Sequence, residues 1–331
     1  MILMKRLFKQ SLSIFVILSL FSSCAREESE STDDVEQRYI ESHVKVIYKD
    51  TLTKTSSGLY IINLKEGTGP AVTDTSGVYV RYSVMDFRNN YSATTYDSIA
   101  KIIGTYSDTT YFGPRLFQMG DYSLMRGVEE ALKLVKQGGR IKFIIPTWLS
   151  NYNYKGSAYL LSSPYVYDIE VLRVVPSVAK FQIDTLEAYS EKYYGGIDSI
   201  AYGFYHKSLE EGIGDTLAVD EYVSFWYVAR LLDGFVVDTN IEDTARKYRI
   251  YNSSVSYTAL NHTIVDIDKT TDNELVPAID KALLNMKHGG VSVVFFSSSW
   301  GYGSSSKGFG RYQPMVFWIK VVSDGNDDSD D

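Results

Sequence analysis

Residues 124–139 read LMRGVEEALKLVKQGG, and residues 275–290 read LVPAIDKALLNMKHGG. The first is apolar at 124, 125, 128, 131, 132 and 135. That is the spacing of one helical face, and a Gly-Gly pair follows as a stop. The second stretch repeats this 151 positions on (124 to 275). Working outward, Gly58-Leu59-Tyr60 returns as Gly203-Phe204-Tyr205, at an offset of 145 (58 to 203). Glu66-Gly67-Thr68-Gly69 returns as Glu211-Gly212-Ile213-Gly214, and Tyr82 of VYVRY as Tyr227 of VSFWY, both at the same offset. An offset that slips by a few residues marks two copies of one domain with different loops. The period is far too long for a solenoid and suits an ordinary domain.

Around the helices each copy reads as strands. In copy one the strand-like runs are LYIINLKEGTGP (59–70), ended by its Gly and Pro, then 78–85, 116–119, 140–145 and 165–175, with a leading helix at 35–44 entered through Asp33 and Asp34. Residues 87–113 read as a polar, Tyr/Ser/Thr-rich insertion. Copy two repeats the order. Its leading helix is 183–194, its strands are 203–208, 222–232, 263–267, 291–296 and 315–322, and its insertion is 239–261. Runs of strands with one central helix predict an α+β fold, an antiparallel sheet packed on a helix.

The chain ends carry other information. Residues 1–23 have a basic start (Lys5, Arg6, Lys9), an apolar core over 12–21, and Ser22-Ser23 before Cys24, the lone cysteine. This is the pattern of an export signal. The apolar core is short for a membrane span, which needs about 20 residues. Ending on Cys24, the segment 1–24 resembles a bacterial lipoprotein signal, which implies Cys24 as the lipidated residue. The alternative is a membrane anchor with an incidental cysteine. Residues 25–37 are acidic and read as a tether, 38–176 as domain one, 177–323 as domain two with its linker helix, and 324–331 as an acidic tail. With one cysteine there is no disulfide framework and no thiol nucleophile. The net charge of −8, or −11 with Lys5, Arg6 and Lys9 set aside, argues against nucleic acid. The count of 27 Tyr against 15 Phe fits either strand-rich structure or aromatic-lined binding surfaces.

Several residues in order carry a family resemblance. They are the Gly-x-Gly turn, the strands closing on Tyr82 and Tyr227, an Asp after a turn (Tyr96-Asp97; Val237-Asp238), the quoted helices, and Gly301-Tyr302-Gly303 in place of an Ala-Tyr-Gly element. Each copy, over 58–175 and 203–322, resembles an FKBP-type peptidyl-prolyl cis-trans isomerase domain. The resemblance implies two FKBP-like domains, each a bent antiparallel sheet wrapped around a short helix, with an aromatic pocket between them. Carried across by position, pocket one has Tyr82, Tyr96, Asp97, Phe117, Leu124, Met125 and Tyr167, with Val128 where the family often has a floor tryptophan. Its loop tyrosine is replaced by Asn151. Pocket two has Tyr227, Asp238, Leu275, Val276, Tyr302 and Phe317, with Ile279 as floor, and its insertion hides any counterpart of Phe117.

The implied activity is non-covalent. Tyr82, Asp97, Tyr227, Asp238 and Tyr302 are the catalytic candidates, with the aspartates orienting polar groups. No cofactor or metal is implied. The expected partners are proline-containing polypeptides of the cell envelope, with the membrane reached through the lipid. Two alternatives stay open: a non-catalytic scaffold or chaperone module, and a glycan- or peptide-binding lipoprotein. Tyr82 and Tyr227 could be core aromatics, and Asp97 and Asp238 turn caps. The loop 297–313 lacks the spacing of a phosphate-binding loop. His43, His206, His262 and His288 lack metal-ligand spacing and read as solvent-facing or incidental.

Overall fold

Two antiparallel sheets with one strand order account for most of the molecule. The computed structural model describes residues 31–150, 164–267, 269 and 275–323. Cys24 with its leader, the tether before residue 31, Asn151 and the acidic tail lie outside these residues. The first sheet holds β1 (Thr53–Lys54), β2 (Tyr60–Lys65), β3 (Gly77–Met85), β4 (Tyr91–Thr94), β5 (Arg115–Gln118), β6 (Arg140–Ile145) and β7 (Tyr165–Val175), in the order β1-β2-β6-β7-β3-β4, with β5 also on β3. The second holds β8 (Ser199–Ala201), β9 (Phe204–Glu210), β10 (Tyr222–Leu231), β11 (Val236–Thr239), β12 (Leu260–Thr263), β13 (Val291–Phe296) and β14 (Met315–Val321). Its order, β8-β9-β13-β14-β10-β11 with β12 on β10, is the first advanced by seven strands.

Six α-helices complete the described residues: α1 (Thr32–Tyr48), α2 (Asp97–Ile102), α3 (Arg126–Leu132), α4 (Val178–Tyr194), α5 (Glu242–Lys247) and α6 (Pro277–Leu283). Helices α3 and α6 sit inside the curve of their sheets. Val128, Ala131 and Leu132 of α3 share a core with Ile141, Phe143, Ile169 and Val171. Ala278, Ile279, Ala282 and Leu283 of α6 share one with Phe204, Phe225, Phe296 and Ile319. Each fully buried Phe or Leu contributes about 1.5–3 kcal/mol.

Helices α1 and α4 cover the outer faces. Ile40 and Val44 of α1 pack on Met85, Ile144 and Val166, and Leu186 of α4 packs on Tyr205, Val293 and Phe295. One device locks both. Glu36 accepts from the Thr147 N–H at 2.9 Å and from its hydroxyl at 2.8 Å. Gln182 accepts from the Ser298 N–H at 2.6 Å and donates to its Oγ at 3.0 Å.

The recurring glycines touch each other. A Cβ on Gly67 would lie 2.6 Å from the Gly139 nitrogen, and one on Gly139 would lie 2.5 Å from the Glu66 carbonyl oxygen. Gly67 also has φ +84, a left-handed conformation that favours glycine.

Several expectations need correction. Helix α1 starts at Thr32, capped by Ser31, whose Oγ accepts from the Asp34 N–H at 3.2 Å. Residues 32–37, expected as tether, are therefore helical, since their acidic side chains suit a helix N-terminus. Helices α3 and α6 are seven residues each, because Leu124, Met125 and Val276 lie on the approach in the non-helical conformation given for Met125 and Val276. The strand expected at 263–267 is β12, which begins at Leu260. The first insertion contains β4 with α2, and the second begins at the last residue of β11 and contains α5, so both belong to the repeat. Strands of four residues, YSAT and VVDT, carry too short an alternation to be read.

The domains also touch. Tyr111, 7 % exposed, packs with the second core, and its hydroxyl donates to Asp233 Oδ2 at 2.9 Å. The Tyr312 hydroxyl donates to Asp121 Oδ2 at 2.8 Å.

Candidate functional site

The wider of the two inner pockets lies in the second half, between β10, β14 and the start of α6. Strand alternation places Phe225, Tyr227 and Ala229 on one face of β10. Ile319 and Phe317 of β14 stand opposite Tyr227 and Ala229. Asp238 of β11 is also opposite Ala229. Leu275, Val276 and Ile279 close the helix side, and Tyr302 closes the loop side. The cavity is about 620 Å3 and is lined by every residue assigned to pocket two from the sequence.

Its polar groups form one cluster. The Tyr227 hydroxyl donates to Asp238 Oδ2 at 2.7 Å, and Asp238 Oδ1 accepts from the Thr239 N–H at 2.8 Å. Burial, and then the hydrogen bond to Asp238, push the Tyr227 hydroxyl far above the usual tyrosine range. Tyr302 is raised by burial and by the charge of Asp238. Its ring packs against Phe309 at 5.7 Å between centroids, with Lys307 Nζ 4.9 Å from the ring centre. No hydrogen bond engages the Tyr302 hydroxyl among the described residues, so it remains able to donate into the cavity.

The first pocket is smaller, about 260 Å3. Val80, Tyr82 and Val84 come from β3, Ala93 from β4, Phe117 from β5, Tyr167 and Ile169 from β7, and Leu124, Met125 and Val128 from α3 and its approach. Tyr82 and Phe117 are 6.4 Å apart between centroids. Tyr167 stacks on Phe143 at 5.7 Å, contacts Met125 Sδ at 3.5 Å, and burial pushes its hydroxyl up to about 12.

Tyr96 and Asp97 are not in this pocket. The Tyr96 hydroxyl donates to Glu170 Oε2 at 2.9 Å, while Asp97 starts α2 and pairs with Lys101 at 2.9 Å on the exposed surface. Register gives the reason. Val84 stands opposite Ala93 as Ala229 stands opposite Asp238. The ladder counterpart of Asp238 is therefore alanine, and a nearby Tyr-Asp pair resembles the motif without holding its place.

Sequence reasoning missed Ala93, Phe225, Ala229, Leu260 and Ile267 among the lining residues. Counting by twos from Tyr82 and Tyr227 finds the strand members, since alternate residues share a face. The counterpart of Phe117 also emerges from register. Val78 pairs with Phe117, and Val223 pairs with His262. His262 is partly buried, with Nε2 2.7 Å from Oδ1 of the fully buried Asp280 on α6. Of the other histidines, His43 stacks on Phe87 at 3.9 Å and His288 Nε2 lies 2.8 Å from Glu221 Oε1. The expectation that these side chains are incidental is therefore corrected. They had no recognisable spacing because their partners are distant in sequence.

No family model matches the chain. It is similar to the FKBP-type peptidyl-prolyl cis-trans isomerase FkpA of Buchnera aphidicola subsp. Acyrthosiphon pisum (strain APS), with 30% identity over 125 residues, 38% of this chain and 46% of that protein. The chain thus spans about half the length of the curated relative it matches. Among solved structures, Escherichia coli FkpA is 25% identical, covering 51% of this chain and 72% of that one, with a TM-score of 0.32. The three FKBP domains of wheat FKBP73 are 16% identical, covering 81% and 95%, with a TM-score of 0.29.

Proposed function

We propose that this chain, an FKBP-type protein with two such domains, is a peptidyl-prolyl cis-trans isomerase whose working pocket is the second. The observation that carries the reading is the Tyr227–Asp238–Tyr302 cluster in an aromatic cavity of about 620 Å3.

Rotation about an X-Pro bond is slow because amide resonance must be broken, against a barrier of about 18–20 kcal/mol. A twisted amide has lost that resonance, so its carbonyl oxygen carries less negative charge and needs water less. Phe225, Phe317, Leu275, Val276 and Ile279 supply an apolar seat for the proline ring. Asp238 fixes the Tyr227 hydroxyl, and Tyr302 offers its hydroxyl to a substrate carbonyl in the twisted geometry. Donors that hold the twisted state better than the planar one lower the barrier without covalent chemistry.

A different role suits the first pocket. With Ala93 where the second has Asp238, it is smaller and has no carboxylate among its lining residues, which supports binding of extended polypeptide over catalysis. That is the scaffold or chaperone reading applied to one domain. The signal-like residues 1–24 support a lipid anchor at Cys24 and exported proteins of the cell envelope as clients. Labelling with a clickable fatty acid tests the anchor, since Cys24→Ala should lose the label.

The test of catalysis is isomerisation of an X-Pro peptide by the chain from residue 25 onward. Acceleration lost in Tyr302→Ala and kept in Tyr82→Ala is expected. No acceleration from a folded chain would leave only the binding role.

A further inference from the structure

The outer face of the second sheet carries a cation that the repeat does not explain. Val228 and Arg230 alternate with Tyr227 and Ala229, so they point away from the inner pocket, toward the face covered by α4. In the first domain the matching strand position is Met85, opposite Val166 as Arg230 is opposite Val316. Met85 is 4% exposed and sealed by Ile40 and Val44 of α1. Arginine in the same place replaces an apolar seal with a charge.

Among the described residues no carboxylate pairs with that charge. The Arg230 Nε is buried without a hydrogen-bond partner, and no ion pair reaches this guanidinium among the described residues. The Tyr248 ring lies 5.6 Å from the guanidinium. A buried, unsatisfied donor on a charged group is costly, and native structures seldom keep one without a use. Beside it lies a cavity of about 440 Å3, walled by Tyr189 and Tyr194 of α4 and by Trp318 of β14. The tyrosine walls are held in place, with Tyr194 stacked on Phe295 at 5.4 Å and Tyr189 tilted against it at 5.3 Å. The carboxylate at the rim, Asp233, is engaged elsewhere, accepting from the Tyr111 hydroxyl at 2.9 Å and from the Phe235 N–H at 3.1 Å.

We infer that this cavity is a second binding site, taking a carboxylate borne on an aromatic or apolar body, with Arg230 as its anion anchor. Guanidinium forks match carboxylates in shape and charge. The volume falls in the range of small-ligand sites, about 300–1,000 Å3. The carboxylate could be that of a free aromatic acid or the C-terminus of a peptide. The site lies on the opposite face of β10 from Tyr227, so its occupancy does not depend on isomerase activity.

Calorimetric titration of the chain from residue 25 onward tests it. The probes are N-acetylphenylalanine, its neutral amide, and a hexapeptide ending in phenylalanine in free-acid and amidated forms. At least one free acid should bind saturably and at least tenfold more tightly than its amide, and Arg230→Met should remove that preference. Binding of the peptide acid alone would identify chain termini as the ligand, and binding of both acids would identify the carboxylate itself. Arg230→Met copies the first domain and should fold. If its circular dichroism differs from wild type, Arg230→Gln is read in its place and should lose the same preference. Equal binding of acids and amides, no binding of either acid, or an acid preference that survives loss of Arg230 would overturn the assignment.

Discussion

Two domains share a strand order, a helix lock and a glycine contact, yet differ at the residue opposite one strand position. Where the second has Asp238 across from Ala229, the first has Ala93 across from Val84. At that ladder position the exchange separates a pocket whose aspartate orients a tyrosine hydroxyl from one with no carboxylate among its lining residues. The frame requires only burial and register, so it tolerates this exchange. The chemistry does not, because a hydroxyl hydrogen bond needs its acceptor in one place. Duplication thus preserved the fold twice and the polar cluster once.

The comparison can be strained first at the helices beneath the pockets. Asp280 holds His262 and the Val265 N–H at 3.0 Å, while its counterpart Glu129 accepts from the Gly120 N–H at 3.1 Å. Asp280→Ala should destabilise the second domain by about 2–6 kcal/mol, since it leaves both His262 and the Val265 N–H without their acceptor at about 1–3 kcal/mol each. Glu129→Ala should cost the first about 1–3 kcal/mol. Urea unfolding of both variants checks the order, and a larger loss for Glu129→Ala would break it.

A subtler contrast concerns the pocket hydroxyls. Tyr302→Phe should slow isomerisation about five- to tenfold, the value of one hydrogen bond near 1 kcal/mol, while Tyr82→Phe should change it less than twofold. A peptide assay under kcat/KM conditions separates the two, and equal losses would place activity in both pockets.

The pH dependence sharpens the same difference. Tyr227 and Tyr302 are raised in the folded state, so the folded protein holds these protons more tightly than the unfolded chain. Their contribution to stability is fully present below the unfolded value of about 10 and is lost as pH rises through the higher folded values. Activity should therefore show no tyrosine titration from pH 6 to 9, with stability falling only above about pH 10. A tyrosine ionisation seen by ultraviolet difference near pH 8, tracking with rate, would contradict this. The smallest effect belongs to Asp97→Asn, which removes an exposed pair with Lys101 and should leave the rate unchanged within the error of the same assay.

How far the sequence reached depends on the kind of signal. Strands 140–145, 165–175 and 291–296 were legible to the residue because runs rich in Val, Ile, Phe and Tyr are bounded by Gly, Pro or Ser. The repeat was legible because its glycines are fixed by backbone contact. Helix lengths were not, since Leu124 and Met125 continue the apolar spacing while the backbone is extended at Met125 and the helix starts only after it. In the second pocket the aspartate could be placed, because it follows the Asp233-Gly234 turn closely, while Phe225, Ala229, Leu260 and Ile267 needed the strand register. In the first, Tyr96-Asp97 held the look of the motif, and only the ladder could place Ala93. Arg230 gave no warning at all, since a lone arginine on a strand becomes unusual only once its covering helix is in place.

The most direct test converts one pocket into the other. Asp238→Ala gives the second domain the chemistry of the first, and the account predicts at least a tenfold fall in kcat/KM on an X-Pro peptide with the fold intact by circular dichroism. Full activity in that variant, or activity lost instead with Tyr82→Ala, would contradict the assignment of catalysis to the second domain.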